Sequence, residues 1–194
     1  MNTETQIDYS EFRSTRPFPK LREETTYCFE ITKATLDPET ESVKFFAGAV
    51  DASGEVTKYS GAGWLTHPGA ADLQGKEKAS KRKMSYDGWY NFLRATGYPI
   101  PAKAQYVKNE KAYFINGNPV DIGAVTELDD QISAAVFGTL KEIFSADNAD
   151  QLVGKRFYAQ VKADKTGKYR NVMLYTATAQ EPTDVEVEYT NLAE

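Results

Sequence analysis

Apolar and polar residues alternate with a period of two through three early stretches, the pattern of a strand with one face on a core and one in water. Residues 25–36 carry Tyr27, Phe29 and Ile31 on one face and Cys28, Glu30, Thr32 and Ala34 on the other. Residues 42–51 set Val43, Phe45, Ala47 and Ala49 against Lys44, Phe46, Gly48 and Val50. A third strand is predicted over 56–66, where Gly61 and Gly63 suggest a bulge or sharp bend. The joins Asp37-Pro38-Glu39-Thr40 and Ala52-Ser53-Gly54-Glu55 are turn chemistry, so the three strands form an antiparallel meander.

The period then becomes helical. Between residues 80 and 96, Tyr86, Trp89, Tyr90 and Leu93 recur at i, i+3, i+4 and i+7, and Gly97 is a stop signal. Gly88 inside this helix costs about 1 kcal/mol relative to Ala. Further on, 105–107 and 112–115 are expected to pair as a hairpin, with Asn116-Gly117-Asn118-Pro119 as a turn. A second helix, capped by Asp129 or Asp130, runs to Phe144 on a stripe of Ile132, Ala135, Val136, Leu140, Ile143 and Phe144. Alternation returns at 154–163, with Phe157, Ala159 and Val161 inward and Tyr158, Gln160 and Lys162 outward. Asp164-Lys165-Thr166-Gly167 turns the chain, and 169–177 returns as a second strand.

Three strands, a helix and two strands are the order of a five-stranded OB-type Greek-key barrel, with the helix between strands three and four. The expected fold is therefore mainly β (α+β), in one domain over residues 21–180 with an inserted helical and hairpin segment at about 98–151. Residues 1–20 read as a flexible arm and residues 181–194 as a disordered acidic tail.

Charge turns this fold into a functional expectation. The tail holds Glu181, Asp184, Glu186, Glu188 and Glu194 and no Lys or Arg, so 28 acids less these 5 leave 23, against 23 bases. Residues 76–111 carry nine Lys or Arg against three acids, and residues 152–172 six against one. The stretch 121–150 is the reverse, seven acids and one Lys, and is expected on one side of the main sheet, away from the basic surface. A basic body with outward aromatics, followed by an anionic tail, is the layout of a single-stranded nucleic-acid binder. Exposed rings stack on any base at ~1–3 kcal/mol each, and Lys or Arg beside them neutralise phosphates. Strand parity nominates Lys44, Phe46, Lys58 and Trp64 on the second and third strands, and Tyr158, Lys162, Lys168 and Arg170 on the closing hairpin. Lys81, Arg82 and Lys83, with Lys76 and Lys78, are expected in a loop that closes over the strand of DNA.

The run Leu152-Val153-Gly154-Lys155-Arg156-Phe157-Tyr158-Ala159-Gln160-Val161-Lys162, followed by Gly167-Lys168-Tyr169-Arg170-Asn171-Val172, resembles the closing hairpin of bacteriophage single-stranded DNA-binding proteins of the OB type. The resemblance covers about 25–96 and residue 152 onward, leaving the insertion unmatched. It implies sequence-nonspecific binding that protects and organises single-stranded DNA in phage replication or recombination. It also implies that the acidic tail occupies the groove when DNA is absent and otherwise docks replication or recombination proteins. One departure stands out: relatives often end the tail on an aromatic residue, whereas this chain reads Asn191-Leu192-Ala193-Glu194.

Catalytic constellations are missing from the sequence. His67 is the one histidine and Cys28 the one cysteine, which removes His-based triads, multi-His metal sites and zinc sites. No catalytic residue, metal or cofactor is expected, and Asp129-Asp130 reads as a helix cap. Glycines at 61, 63, 69 and 75 match neither the phosphate loop nor the dinucleotide fingerprint. Two other readings stay open on the sequence: a structural or protein-interaction β-barrel, such as a virion or assembly component, and a carboxylate-only metal-dependent nuclease. A lone cysteine suits a reducing compartment, residues 1–20 lack an apolar signal core, and no apolar run approaches the ~18 residues of a span. The expectation is a soluble protein of the cytoplasm (the host cytoplasm if phage-encoded), with no membrane partner.

Overall fold

The computed structural model describes residues 19–57, 61–146, 149–166, 170–181 and 188–189. Strand β1 (Pro19–Lys20) is followed by β2 (Thr26–Asp37), β3 (Ser42–Ala49) and β4 (Gly61–Thr66), then helix α1 (Ala79–Ala95). Three short strands come next, β5 (Gln105–Val107), β6 (Ala112–Ile115) and β7 (Asn118–Val120), and then helix α2 (Ile122–Ser145). The chain continues through β8 (Arg156–Ala163), β9 (Arg170–Val172) and β10 (Glu188–Tyr189).

Five of these strands close a barrel in the order β2-β3-β4-β9-β8. All neighbours are antiparallel except β4 and β9, which meet in parallel at Ala62 and Asn171. Renumbered within the barrel, the circuit is first, second, third, fifth, fourth and back to first, with α1 between third and fourth. That is an OB-type barrel, as the sequence predicts.

Alternation explains the interior. Phe29, Ile31, Val43, Phe45, Phe157, Ala159 and Val161 are all buried, and α1 closes one end with Trp89, Phe92 and Leu93. The Phe92 ring lies 4.8 Å from that of Phe45 and 5.5 Å from that of Phe157, so the helix interlocks with strands on both sides of the barrel. Each such ring adds about 1.5–3 kcal/mol by leaving water.

Glycines mark close approaches rather than a bulge. The β3–β4 register runs unbroken from Ser42↔Thr66 to Ala47↔Gly61, which corrects the bulge expected at Gly61 and Gly63. A Cβ on Gly63 would stand 2.9 Å from the Val172 carbonyl oxygen, and one on Gly61 3.0 Å from that of Arg170. Bare backbone there is what lets β9 reach β4. In α1, a Cβ on Gly88 would meet Leu65 at 2.8 Å, so this helix-weakening residue permits the helix to seat on β4.

The irregularity lies instead in β2, where the register slips between Ile31 and Lys33. The extra residue turns Ala34 inward, against the expected parity, and carries Lys33 to the outer face.

Three further expectations change. Helix α2 starts at Ile122, capped by Asp121, whose side chain accepts from the Ala124 amide at 2.9 Å; Asp129 and Asp130 lie exposed within it. The returning strand β9 has three residues and gives way to a 3-10 turn at Leu174–Thr176, where Leu174 is buried. Lys81, Arg82 and Lys83 belong to the first turns of α1, as the helix expected over 80–96 implies, and not to the loop expected to close over DNA; Lys76 and Lys78 belong to a 3-10 turn before it.

The insertion forms a three-stranded antiparallel sheet, β5-β6-β7, whose Asn116-Gly117 turn has positive φ at both residues (50° and 81°). Helix α2 buries Ile132, Val136, Leu140 and Ile143 in the same core as the barrel. Its Phe144 ring meets Trp89 and His67, and Phe137 meets Tyr86 and His67, so these rings pack on α1 and the segment after β4. β1 and β10 pair antiparallel, Lys20 opposite Glu188, joining a piece of the expected arm to a piece of the expected tail.

Candidate nucleic-acid interface

Register builds the site on the outside of the barrel. Across the strands, Lys33 stands opposite Phe46, Phe46 opposite Ala62, Ala62 opposite Asn171, and Asn171 opposite Lys162. The neighbouring row on the same face holds Thr35, Lys44 and Trp64. The Lys44 ammonium lies 5.0 Å and that of Lys33 5.9 Å from the Phe46 ring centre, so two cations bracket one ring.

Trp64 is 59% exposed, whereas the other tryptophan, Trp89, is fully buried. It stands between two clefts. The larger, about 620 Å³, separates Trp64 from α1 and the 3-10 turn, and its walls include Lys81, Met84, Lys162 and Tyr175. The smaller, about 470 Å³, is lined by Thr35, Asp37, Ser42, Lys44 and Ala62. Trp64 and Asn171 border both. Met84 and Tyr175 are themselves largely exposed, so the larger cleft offers apolar surface with lysines beside it.

Hydrogen bonds fix the walls. The carbonyl oxygen of Thr66, two residues beyond Trp64, accepts from both the Ser85 hydroxyl and the Trp89 indole N–H, the latter at 2.9 Å. Asn91 Nδ2 donates to the Tyr175 carbonyl at 2.7 Å, tying the 3-10 turn to the same helix. Asp87, on the α1 wall, pairs with Lys83 and, at 3.1 Å, with Lys103. Burial opposes its ionisation, but the two lysines outweigh burial and hold its pKa below the ordinary aspartate value.

Of the residues nominated from sequence, the fold gathers Lys44, Phe46, Trp64, Lys81 and Lys162 on this face. It places Arg82, Lys83, Arg170 and Tyr158 elsewhere. Arg82 turns back to donate to the Leu73 carbonyl at 2.6 Å and the Gly75 carbonyl at 3.3 Å, which fastens the segment before α1. Lys83 is engaged with Asp87, outside the cleft lining. Arg170 donates through Nε to the Leu21 carbonyl at 3.2 Å, a structural tie. Lys58, Lys168, Asp184, Glu186 and Glu194 lie outside the described residues, as do the side chain of Glu188 and the chemistry expected of it.

Tyr158 faces outward, as parity predicts, but at the other end of β8. There it stands opposite Cys28 and lines a third cleft, about 400 Å³, with Arg156, Asp51 and Glu181. Arg156 is already bound to Glu30 at 2.7 Å and to the Gly54 carbonyl at 3.2 Å. Burial raises the Cys28 thiol pKa above its ordinary value; Glu181 and Glu30 reinforce the rise, against Arg156 and a hydrogen bond with Tyr158. Burial also raises the Tyr158 hydroxyl, with the neighbouring thiol and Glu181 adding to it.

Four contributors escaped the sequence reading: Lys33, Met84, Asn171 and Tyr175. Met84 was within reach, since it lies three residues from Lys81 on the helix and so shares its side. Among the described residues, no cluster of three or more His, Cys, Asp or Glu could hold a metal ion, and no helix is long and apolar enough to cross a membrane. Comparison with protein-family models, curated proteins and solved structures finds no match to this chain.

Proposed function

We propose that this chain binds single-stranded DNA without reading its sequence, and that it coats and protects such strands in phage replication or recombination. The observation that carries the reading is Trp64: a large ring exposed on the outer face of an OB-type barrel, between two clefts with lysines on their walls. A flat ring offers stacking to any base, and Lys44, Lys81 and Lys162 supply the charge that phosphates need. The tail acids, beginning at Glu181, would compete with DNA for cationic surface and dock basic partner proteins. Their concentration without a single Lys or Arg supports that role.

The test is a fluorescence titration with oligo-dT at two salt concentrations, set against duplex of equal length. Because Trp89 is buried, stacking at Trp64 should quench the exposed part of the emission. Salt-dependent quenching by the single strand and weaker response to duplex are expected, and removal of residues 181–194 should tighten binding at low salt. A flat titration would favour a protein-binding barrel, and Mg²⁺-dependent loss of the oligonucleotide would favour a nuclease.

A further inference from the structure

The larger cleft does not end at α1. At 100° per residue, Lys83, Asp87 and Arg94 form the outward strip of that helix, between the cleft-facing Met84 and the strip carrying Tyr86 and Tyr90. Asp87 borders the cleft and also accepts from Lys103, which comes from the chain after α1. The Lys103 ammonium lies 4.2 Å from the Tyr90 ring centre, and its backbone amide donates to the Tyr90 hydroxyl at 3.0 Å. Cleft, helix and insertion are thus joined at one acid shared by two lysines.

Three residues past Lys103, a reach of at most about 10 Å, stands Tyr106. It is 51% exposed, and its ring lies 5.0 Å from that of Tyr113 across the β5–β6 pair. The turn beyond carries Lys108 and Lys111, both exposed, with Glu110 between them. An open ring on a hairpin whose turn carries two exposed lysines repeats, on the insertion, the residue types of Trp64 and its lysines.

We infer that the β5–β6 hairpin is a second contact for the same single strand, which leaves the larger cleft over the Asp87–Lys103 junction and stacks on Tyr106. The inference rests on the proposed function and extends its site from a barrel groove to a track across α1. The occupant follows from charge: Lys83 and Lys103 share Asp87, and Arg94, Lys108 and Lys111 add three cations on α1 and the hairpin turn against Glu110 and the Asp129 beside Tyr86, a balance that suits a polyanion.

The experiment uses the full chain and labelled dT oligonucleotides of about 4 and about 16 nucleotides, the range of site sizes for one OB fold. Tyr106→Ala should weaken the longer oligonucleotide about five-fold or more and leave the shorter unchanged. Lys108→Gln with Lys111→Gln, exposed positions that spare the fold, should lower the salt slope by about 1.4 for the longer oligonucleotide alone. Trp64→Ala should weaken both lengths. If Trp64→Ala does so while both hairpin variants bind the longer strand like the parent, the track is overturned and the cleft stands. An equal loss at both lengths in Tyr106→Ala overturns it too. Trp64→Ala without effect at either length overturns the cleft, and the track with it.

Discussion

The two ends of the outer β8 surface carry similar residue types and present different surfaces. At one end Lys162 stands beside Asn171, next to the exposed Trp64, with clefts on both sides of the ring. At the other, Tyr158 stands beside Arg156, but that guanidinium is held by Glu30, and Glu181 adds negative charge. An aromatic next to a basic residue on an outward strand face is therefore not sufficient. What separates the ends is whether the cation is already partnered, and a phosphate must outcompete that partner.

The sharpest way to break this contrast is to delete each ring. Trp64→Ala should cost about 1–3 kcal/mol of single-strand affinity, read by anisotropy of a labelled oligo-dT, while Tyr158→Ala should change it less than about two-fold. Equal losses would erase the distinction between the ends. Next in size is the charge contrast. Lys44→Gln with Lys162→Gln should reduce the slope of log K against log salt by about 1.4, and Arg156→Gln should leave the slope where it was.

The smallest effect concerns Cys28, which serves as a reporter for the Tyr158 end. With its pKa raised by burial, little thiolate exists near neutrality, so alkylation should be slow there. Because burial holds the thiol pKa above its ordinary value, the rate should climb only as the solution becomes distinctly alkaline. Saturating oligo-dT should leave it unchanged, as measured by mass spectrometry. Protection of Cys28 by DNA would place the strand at the wrong end of β8.

Strand parity made much of the barrel legible. Tyr158 and Lys162 face outward and Phe157 inward because period two leaves no other choice once one residue is placed, and Trp64 follows from the same rule. The rule failed where the backbone left it. One extra residue in β2 reversed the faces of Lys33 and Ala34, and nothing in Thr32-Lys33-Ala34 announces a bulge. Tyr175 falls within the strand expected over 169–177; the 3-10 turn that instead sets it at the cleft wall comes with Leu174 packing into the core. For α2, Val125 and Leu128 extend the stripe of Ile132 back by seven and four residues, so its earlier start was written in the sequence and outweighed by the more conspicuous acid pair. The cations on α1 could not be sorted from sequence: whether Arg82 grips DNA or its own loop turns on carbonyls brought near by the fold.

One feature of the larger cleft bears on how its dimensions survive mutation. The point where helix and strand are stapled together is a main-chain oxygen, that of Thr66, with Ser85 and Trp89 both donating to it. A peptide carbonyl is the same whatever side chain its residue bears. A substitution at position 66, which lines the cleft, would therefore reshape the wall but keep the staple, whereas loss of Ser85 or Trp89 would remove one of its two donors. On the proposed function, a jaw already set in this way would spare an incoming strand the entropy of closing it.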